Sequence, residues 1–433
     1  MSSDYWIANP PGLKASESAS GCPANNLGPL KGAISDEVVR GVNAGFPGQV
    51  LSIILTGSLA RLEATCVARP DVREVVGDAE FLLVFTESAA LPAASQVESV
   101  RQQVESALRQ RAILCPVSFG VVHPQYFHKL RPSIFAYELR TCGEAVWGSR
   151  EVLEQAPTFS NTQIPFEDGW RTLCNRLIEQ LEAVEQALVQ PSTCQLLHYR
   201  TVKLYLDMAT SLLVFLGAYE PSYFNRAERL SLLASGGPNE SRLPFPLLPF
   251  AERVAACTEF KLSGTTGSPL VPGRGDLAGV LSFWRESVGY ARQLWRWELT
   301  RLAGVWEPFS DRVLMKKWMR RQTVRDKIRG WMYVARKCGW QKSHRQWRRW
   351  VRMAWHGSPR YCLYDVASQA CFRLPEVVGA LNGRANQSFD WGALYARIPA
   401  AESSGSNGHV TIWQQVARDI VANYRDFLTD TCS

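Results

Sequence analysis

The chain has 433 residues, 46% of them apolar and 20% charged, the make-up of a globular protein with room for two or three cores. No apolar run approaches the ~18 residues a membrane span requires, the longest lying around residues 211–219, and Met1-Ser2-Ser3-Asp4 opens with neither the basic nor the apolar region of a secretory leader. The eleven cysteines are odd in number and form no CxxC pair, which argues against a disulfide framework and against zinc and predicts reduced thiols in a cytoplasm. The net charge of +8 is unevenly spread: between Arg312 and Arg360 there are 16 Lys/Arg and one acid, Asp326, a local net of +15, while the remainder carries a net of −7.

Residues 1–33 are rich in Pro, Gly, Ser and Asn without periodicity, and predict a loose arm. A short helix is expected over 34–46. Ser52-Ile53-Ile54-Leu55 then reads as a buried strand that ends at a turn signal, Gly57-Ser58. Gly57 lets backbone approach a ligand without a Cβ in the way. Leu59-Ala60-Arg61-Leu62-Glu63 can begin a helix, whose first N–H groups suit a phosphate. Residues 64–77 read as a loop. Asp78-Ala79-Glu80-Phe81-Leu82-Leu83-Val84-Phe85 is a second apolar strand with both carboxylates on one face. Two such acids repel each other, and a hard dication between them removes that cost; Mg²⁺ is usually held by one or two carboxylates together with substrate phosphates.

Gly57-Ser58 followed by Asp78-x-Glu80 on a hydrophobic strand resembles the polymerase-β-like nucleotidyltransferase superfamily, over roughly residues 35–150. Gly57-Ser58-Leu59-Ala60-Arg61-x-Glu63 is close to the wording of its minimal-type members, Gly-Ser-x-Ala-Arg-Gly-Glu, with Leu62 in place of the second glycine. The resemblance implies that Gly57 and Ser58 hold the triphosphate of an NTP such as ATP, that Asp78 and Glu80 hold Mg²⁺ or Mn²⁺, and that a nucleoside monophosphate passes to a hydroxyl acceptor: a small molecule, a protein or an RNA end. Arg61 either adds charge near the phosphates or pairs with Glu63.

Val97, Val100, Val104 and Leu108 recur at helical spacing, and Val117–Val122 is a third strand. Many family members carry a third carboxylate there; this chain has Ser118, which leaves the activity in doubt. Glu138 is a candidate general base, its alternative being a surface acid on an amphipathic helix. An acid within reach of Asp78 and Glu80 favours an enzyme; an empty or lysine-filled third corner favours a weakened member kept for binding.

From Glu167 the pattern turns to long helices. Trp170, Leu173, Leu177, Leu181, Val184 and Leu188 form an apolar stripe, and residues 194–216 are apolar nearly all round. Lys203 and Asp207, at i and i+4 on that helix, either face a nucleotide cleft, with Lys203 reaching phosphate, or make a solvent-facing pair. Residues 235–275 read as a linker or long loops around a short helix at 248–260, and 277–304 as a helix with Trp284, Val288, Ala291 and Trp295 on one face. The basic block holds six tryptophans between Trp318 and Trp355 at helical spacing. Such helices suit an anionic membrane surface or nucleic acid, or else pack their Trp stripe on the body and leave the cations in water. Arg349 and His356 have an Arg-x6-His spacing similar to the RNase signature of HEPN helical domains, a spacing an Arg-rich run also produces by chance. Residues 361–375 are expected to include a short hairpin, and 410–428 a final amphipathic helix.

The expected fold is α+β: an arm (1–33), a nucleotidyltransferase domain with a small mixed sheet (34–150), a helical bundle that could bind the acceptor (151–235), a linker region (236–310), basic Trp-rich helices (311–360) and a C-terminal segment (361–433). Two functions are carried forward: a metal-dependent nucleotidyltransferase, and a catalytically weakened relative that binds membrane or nucleic acid through residues 312–360.

Overall fold

A computed structural model describes residues 20–21, 27–69, 72–190, 193–236, 243–265, 267–273, 275–338, 344–380, 389–400 and 412–428. Most of the predicted arm lies outside the described residues. Within them are β1 (Ser20–Gly21) and α1 (Leu27–Gly45), the latter starting earlier than the sequence pattern suggested because Leu27 and Leu30 extend its buried face.

The chain continues through β2 (Val50–Thr56), α2 (Gly57–Ala60), β3 (Thr65–Arg69), β4 (Val72–Val76), β5 (Ala79–Phe85), α3 (Ala94–Gln110), β6 (Ile113–Leu114), β7 (Val117–Val122), α4 (Gln125–His128), α5 (Ile134–Cys142), β8 (Glu144–Gly148) and α6 (Glu151–Glu154). The central sheet has the order β7-β5-β2-β8; β2 runs antiparallel to β5 and β8, and β5 parallel to β7. Both faces are covered, which explains why its strands read as unbroken apolar runs. Ile53, Leu55, Phe81, Leu83 and Phe85 pack with Val38 and Val42 of α1 and Val100 and Val104 of α3. Ile54, Leu82 and Val84 pack on the opposite face with Phe127, Leu139 and Val152.

Residues 64–77 are not the loop the sequence suggested. They form the antiparallel β3–β4 hairpin, with Thr65 opposite Val76 and Arg69 opposite Val72. Cys66, Val67 and Val75 are buried there; the polar Arg73 and Glu74 masked the alternation.

The second half consists of α7 (Phe166–Val189), α8 (Cys194–Phe215), α9 (Tyr223–Ser235), α10 (Leu247–Ser263), α11 (Leu277–Ala303), α12 (Asp311–Arg320), α13 (Val324–Cys338), α14 (His344–His356), α15 (Pro359–Ala380), α16 (Trp391–Tyr395) and α17 (Ile412–Leu428). The fold is therefore α+β, with mixed sheets early in the chain and a mostly helical remainder. The Trp170–Val184 stripe is buried as predicted, as are Trp284, Val288, Ala291 and Trp295. The short helix predicted at 248–260, within the stretch read as linker or long loops, adds Phe250 and Val254 to the bundle core.

Residues 361–375, expected to hold a hairpin, lie inside α15. Tyr361, Leu363, Tyr364, Val366 and Cys371 are all buried, and a helix buried nearly all round shows no single stripe. Pro375 sits inside the helix without ending it. The Trp stripe of the basic block packs on the body: Trp331 and Trp350 are buried, with ring centroids 6.5 Å apart, and their indole N–H groups donate to Gly357 O and Pro399 O, each at 2.8 Å. No helix among the described residues is long and apolar enough to cross a membrane.

Candidate functional site

The register of the central sheet assembles the site. Thr56, the last residue of β2, lies opposite Glu80 of β5, and Glu80 lies beside Ser118 of β7. The turn after β2 is thus set directly over the Glu80 carboxylate. Gly57 has φ +71°, and a Cβ on it would stand 2.7 Å from Glu80 Oε2. Both facts demand glycine. The helical turn that follows is shorter than expected, Gly57–Ala60, and no side chain caps its first amides.

The turn closes with Glu63 N–H donating to Ser58 O at 2.8 Å, and Leu62 takes φ +58°. The backbone thus holds a left-handed conformation with a leucine that costs ~1–2 kcal/mol. Leu62 is 46% exposed, so packing returns little of that cost.

Asp78 precedes β5, and the Ser118 hydroxyl hydrogen-bonds its carboxylate. Burial pushes the Asp78 carboxyl up, and Lys203, Ser118 and Lys261 offset part of the rise. Burial and the neighbouring Asp78 push Glu80 up to about 8, against Arg61 and Lys203. Both acids keep part of their surface open to the cleft. Two carboxylates confined together, both pushed up by burial, form a hard-oxygen donor set in need of positive charge. That suits a single Mg²⁺ or Mn²⁺ shared with phosphate oxygens. The described residues contain no group of three or more His, Cys, Asp and Glu suited to a metal, so the pair has no third protein acid of that kind beside it.

Lys203 of α8 is close enough to Asp78 and Glu80 to lower both carboxyls, and lies 5.9 Å from the Tyr199 ring. The i, i+4 pair with Asp207 does not form: Asp207 accepts from Arg176 Nε at 2.6 Å. A second lysine was not foreseen. Lys261 of α10 is buried, donates to the Tyr199 hydroxyl at 3.2 Å, and is pushed down to about 8 by burial and by Arg61, against Glu63. Its signal was a lone lysine in Phe260-Lys261-Leu262, inside a segment read as linker.

Arg61 does not face open cleft. Its Nε donates to Glu63 at 3.0 Å and its Nη1 to Glu138 at 2.8 Å. Glu138 is no surface acid. Its other oxygen accepts from Arg226 Nη2 at 2.7 Å and from the Tyr219 hydroxyl. Burial raises the Glu138 carboxyl, but Arg61 and Arg226 outweigh it and hold it below the usual carboxylate range. Arg226, unremarked in the sequence, also donates to Thr210 at 2.7 Å and to the Glu220 and Pro221 carbonyls. Ser222 donates to Glu63 at 2.7 Å. This network ties the Gly-Ser turn to α5, α8 and α9, so the helical half forms one wall of the site.

No family model and no curated protein sequence matches the chain. Among solved structures it is similar to spectinomycin adenyltransferase AAD(9) from Enterococcus faecialis, determined with ATP and spectinomycin: 12% identity, TM-score 0.33, with 60% of this chain and 98% of that one covered.

Proposed function

We propose that the chain binds an NTP with Mg²⁺ or Mn²⁺ over Gly57, Ser58, Asp78 and Glu80, and transfers the nucleoside monophosphate to a hydroxyl acceptor with release of pyrophosphate. The observation that carries this reading is the left-handed Gly57 turn set against the Glu80 carboxylate, with Asp78 close enough to push Glu80 up and Lys203 close enough to pull both acids down. The amides of Gly57 and Ser58 and the Ser58 hydroxyl would bind phosphate oxygens. Lys203 would add positive charge from the helical wall, and Asp78 and Glu80 would hold the metal. A bound metal supplies charge that offsets the phosphoryl oxygens during in-line displacement. In the transfer the acceptor oxygen would form a bond to the α-phosphorus and lose its proton to solvent, while the bond from the α-phosphorus to the bridging oxygen breaks and pyrophosphate leaves. Arg61 acts as a positioning residue, holding Glu63 and Glu138. Glu138, engaged on both oxygens, is better suited to bracing α9 against the turn than to taking a proton.

A second reading rests on Ser118. With a hydroxyl in the third corner and Lys203 and Lys261 near the acids, the site would bind a nucleotide without turning it over. Pyrophosphate release in the presence of Mg²⁺, an NTP and a panel of hydroxyl acceptors separates the two. Release that disappears in Asp78→Asn supports the enzyme; metal-dependent binding without release for any acceptor supports the second reading.

A further inference from the structure

The basic helices bury their large tryptophans and turn a different set of side chains outward. Trp331, Val334 and Ala335 of α13 and Trp350 of α14 are buried, so those rings offer no stacking platform for bases. The exposed apolar residues of α13 are aliphatic: Val324, Ile328 and Met332, each one turn from the last and each more than half exposed. On α14 they are Val351 and Trp355, again one turn apart and 67% and 85% exposed. Exposed cations lie among them, Arg325, Arg329 and Arg336 on α13 and Arg348 and Arg352 on α14. Asp326, the one acid of the block, is tied to the Thr323 hydroxyl. Beside this face a cleft of about 580 Å³ opens between α13 and the α4–α5 loop, lined by Lys129, Arg131, Arg325 and Arg329 together with one acid, Asp326.

From these observations we infer that α13 and α14 dock on an anionic membrane surface, lying in the interface rather than crossing it. Aliphatic side chains and one Trp on faces otherwise cationic match acyl chains and anionic headgroups. Cations alone would suit nucleic acid equally; Val324, Ile328, Met332 and Val351 add nothing on a phosphate backbone. The cleft supplies Lys129 and Arg131 from the sheet-bearing half for headgroup phosphates. Docking would place the nucleotide site near a lipid or membrane-borne acceptor, but the inference stands without that site.

The test is flotation of the full-length protein with phosphatidylcholine vesicles, with and without phosphatidylserine. Binding is expected only to the anionic vesicles and is expected to weaken with salt. Arg325→Gln/Arg329→Gln should lower the apparent affinity by about thirtyfold, from the worth of each cation near a charged surface. Ile328→Asp/Met332→Asp should abolish it. Both variants should keep the wild-type melting temperature and nucleotide binding, since all four side chains are exposed. Failure to float with anionic vesicles overturns the inference. So does equal binding to neutral vesicles, or tight binding to RNA that the arginine variant loses and the Ile328/Met332 variant keeps.

Discussion

Glu80→Gln should make the metal-free protein more stable while removing its metal-dependent activity. The folded chain holds Glu80 up to about 8, against an ordinary value of 4.5. Between those two values the folded state binds more protons than the unfolded state, so stability falls as pH rises through that window. At pH 7 a proton taken up only on folding costs ~3 kcal/mol at about 1.4 kcal/mol per pH unit. The carboxyl keeps contact with the cleft, where water screens it, so about 1–2 kcal/mol is the gain expected from the neutral amide. Urea unfolding of both proteins without divalent ions, at several values between pH 5 and 8, measures it. Wild type should lose stability toward pH 8, and Glu80→Gln should lose less. A variant less stable than wild type at pH 7, with the same pH slope, would refute the reasoning and make Glu80 an ordinary ion-paired acid. Saturating Mg²⁺ with ATP should reverse the order, because ligand stabilises only the form that binds it.

Leu62→Gly should raise stability by about 0.5–1 kcal/mol: it relieves a left-handed leucine and gives back part of the gain as unfolded-chain entropy. Thermal unfolding checks this, and a lower melting temperature contradicts it. Gly57→Ala should lose ~1–2 kcal/mol from backbone strain alone and also displace Glu80, so unfolding and Mg²⁺-dependent ATP titration should both suffer; intact titration would mean that the carboxylate does not need that turn. Arg226→Met leaves Glu138 with only Arg61 and Tyr219, and should cost about 3–5 kcal/mol in urea unfolding, as breaking a buried pair does; a loss under 1 kcal/mol would remove the network from the account.

The sheet-borne part of the site was legible in the sequence because each of its signals is local. A strand, a Gly-Ser turn and two acids two positions apart are separated by short spacings, although only Glu80 lies in β5 and Asp78 stands just ahead of it. Sidedness was legible too: the Trp170 and Trp284 stripes follow helical spacing and proved buried. What could not be read was contact between distant segments. Lys261 and Arg226 reach the neighbourhood of Asp78 and Glu138 only through the packing of α10 and α9 against the sheet-bearing half. Glu138 looked like a free acid until tertiary packing brought Arg61 and Arg226 to its two oxygens. Regions buried on all sides failed for another reason. Residues 361–375 lack the contrast between a wet and a dry face on which periodicity depends, whereas in β4 the charged Arg73 and Glu74 hid the strand.

The central claim, that Gly57, Asp78 and Glu80 form a metal-dependent nucleotide site, meets its most direct test in isothermal titration. Mg·ATP and the other three Mg·NTPs would be titrated into wild type and into Asp78→Asn/Glu80→Gln, both shown folded by circular dichroism. Binding of at least one nucleotide that requires the divalent ion and is lost in the double variant is the result predicted. No binding of any nucleotide to the folded wild type, or binding that survives the double variant, would contradict the claim.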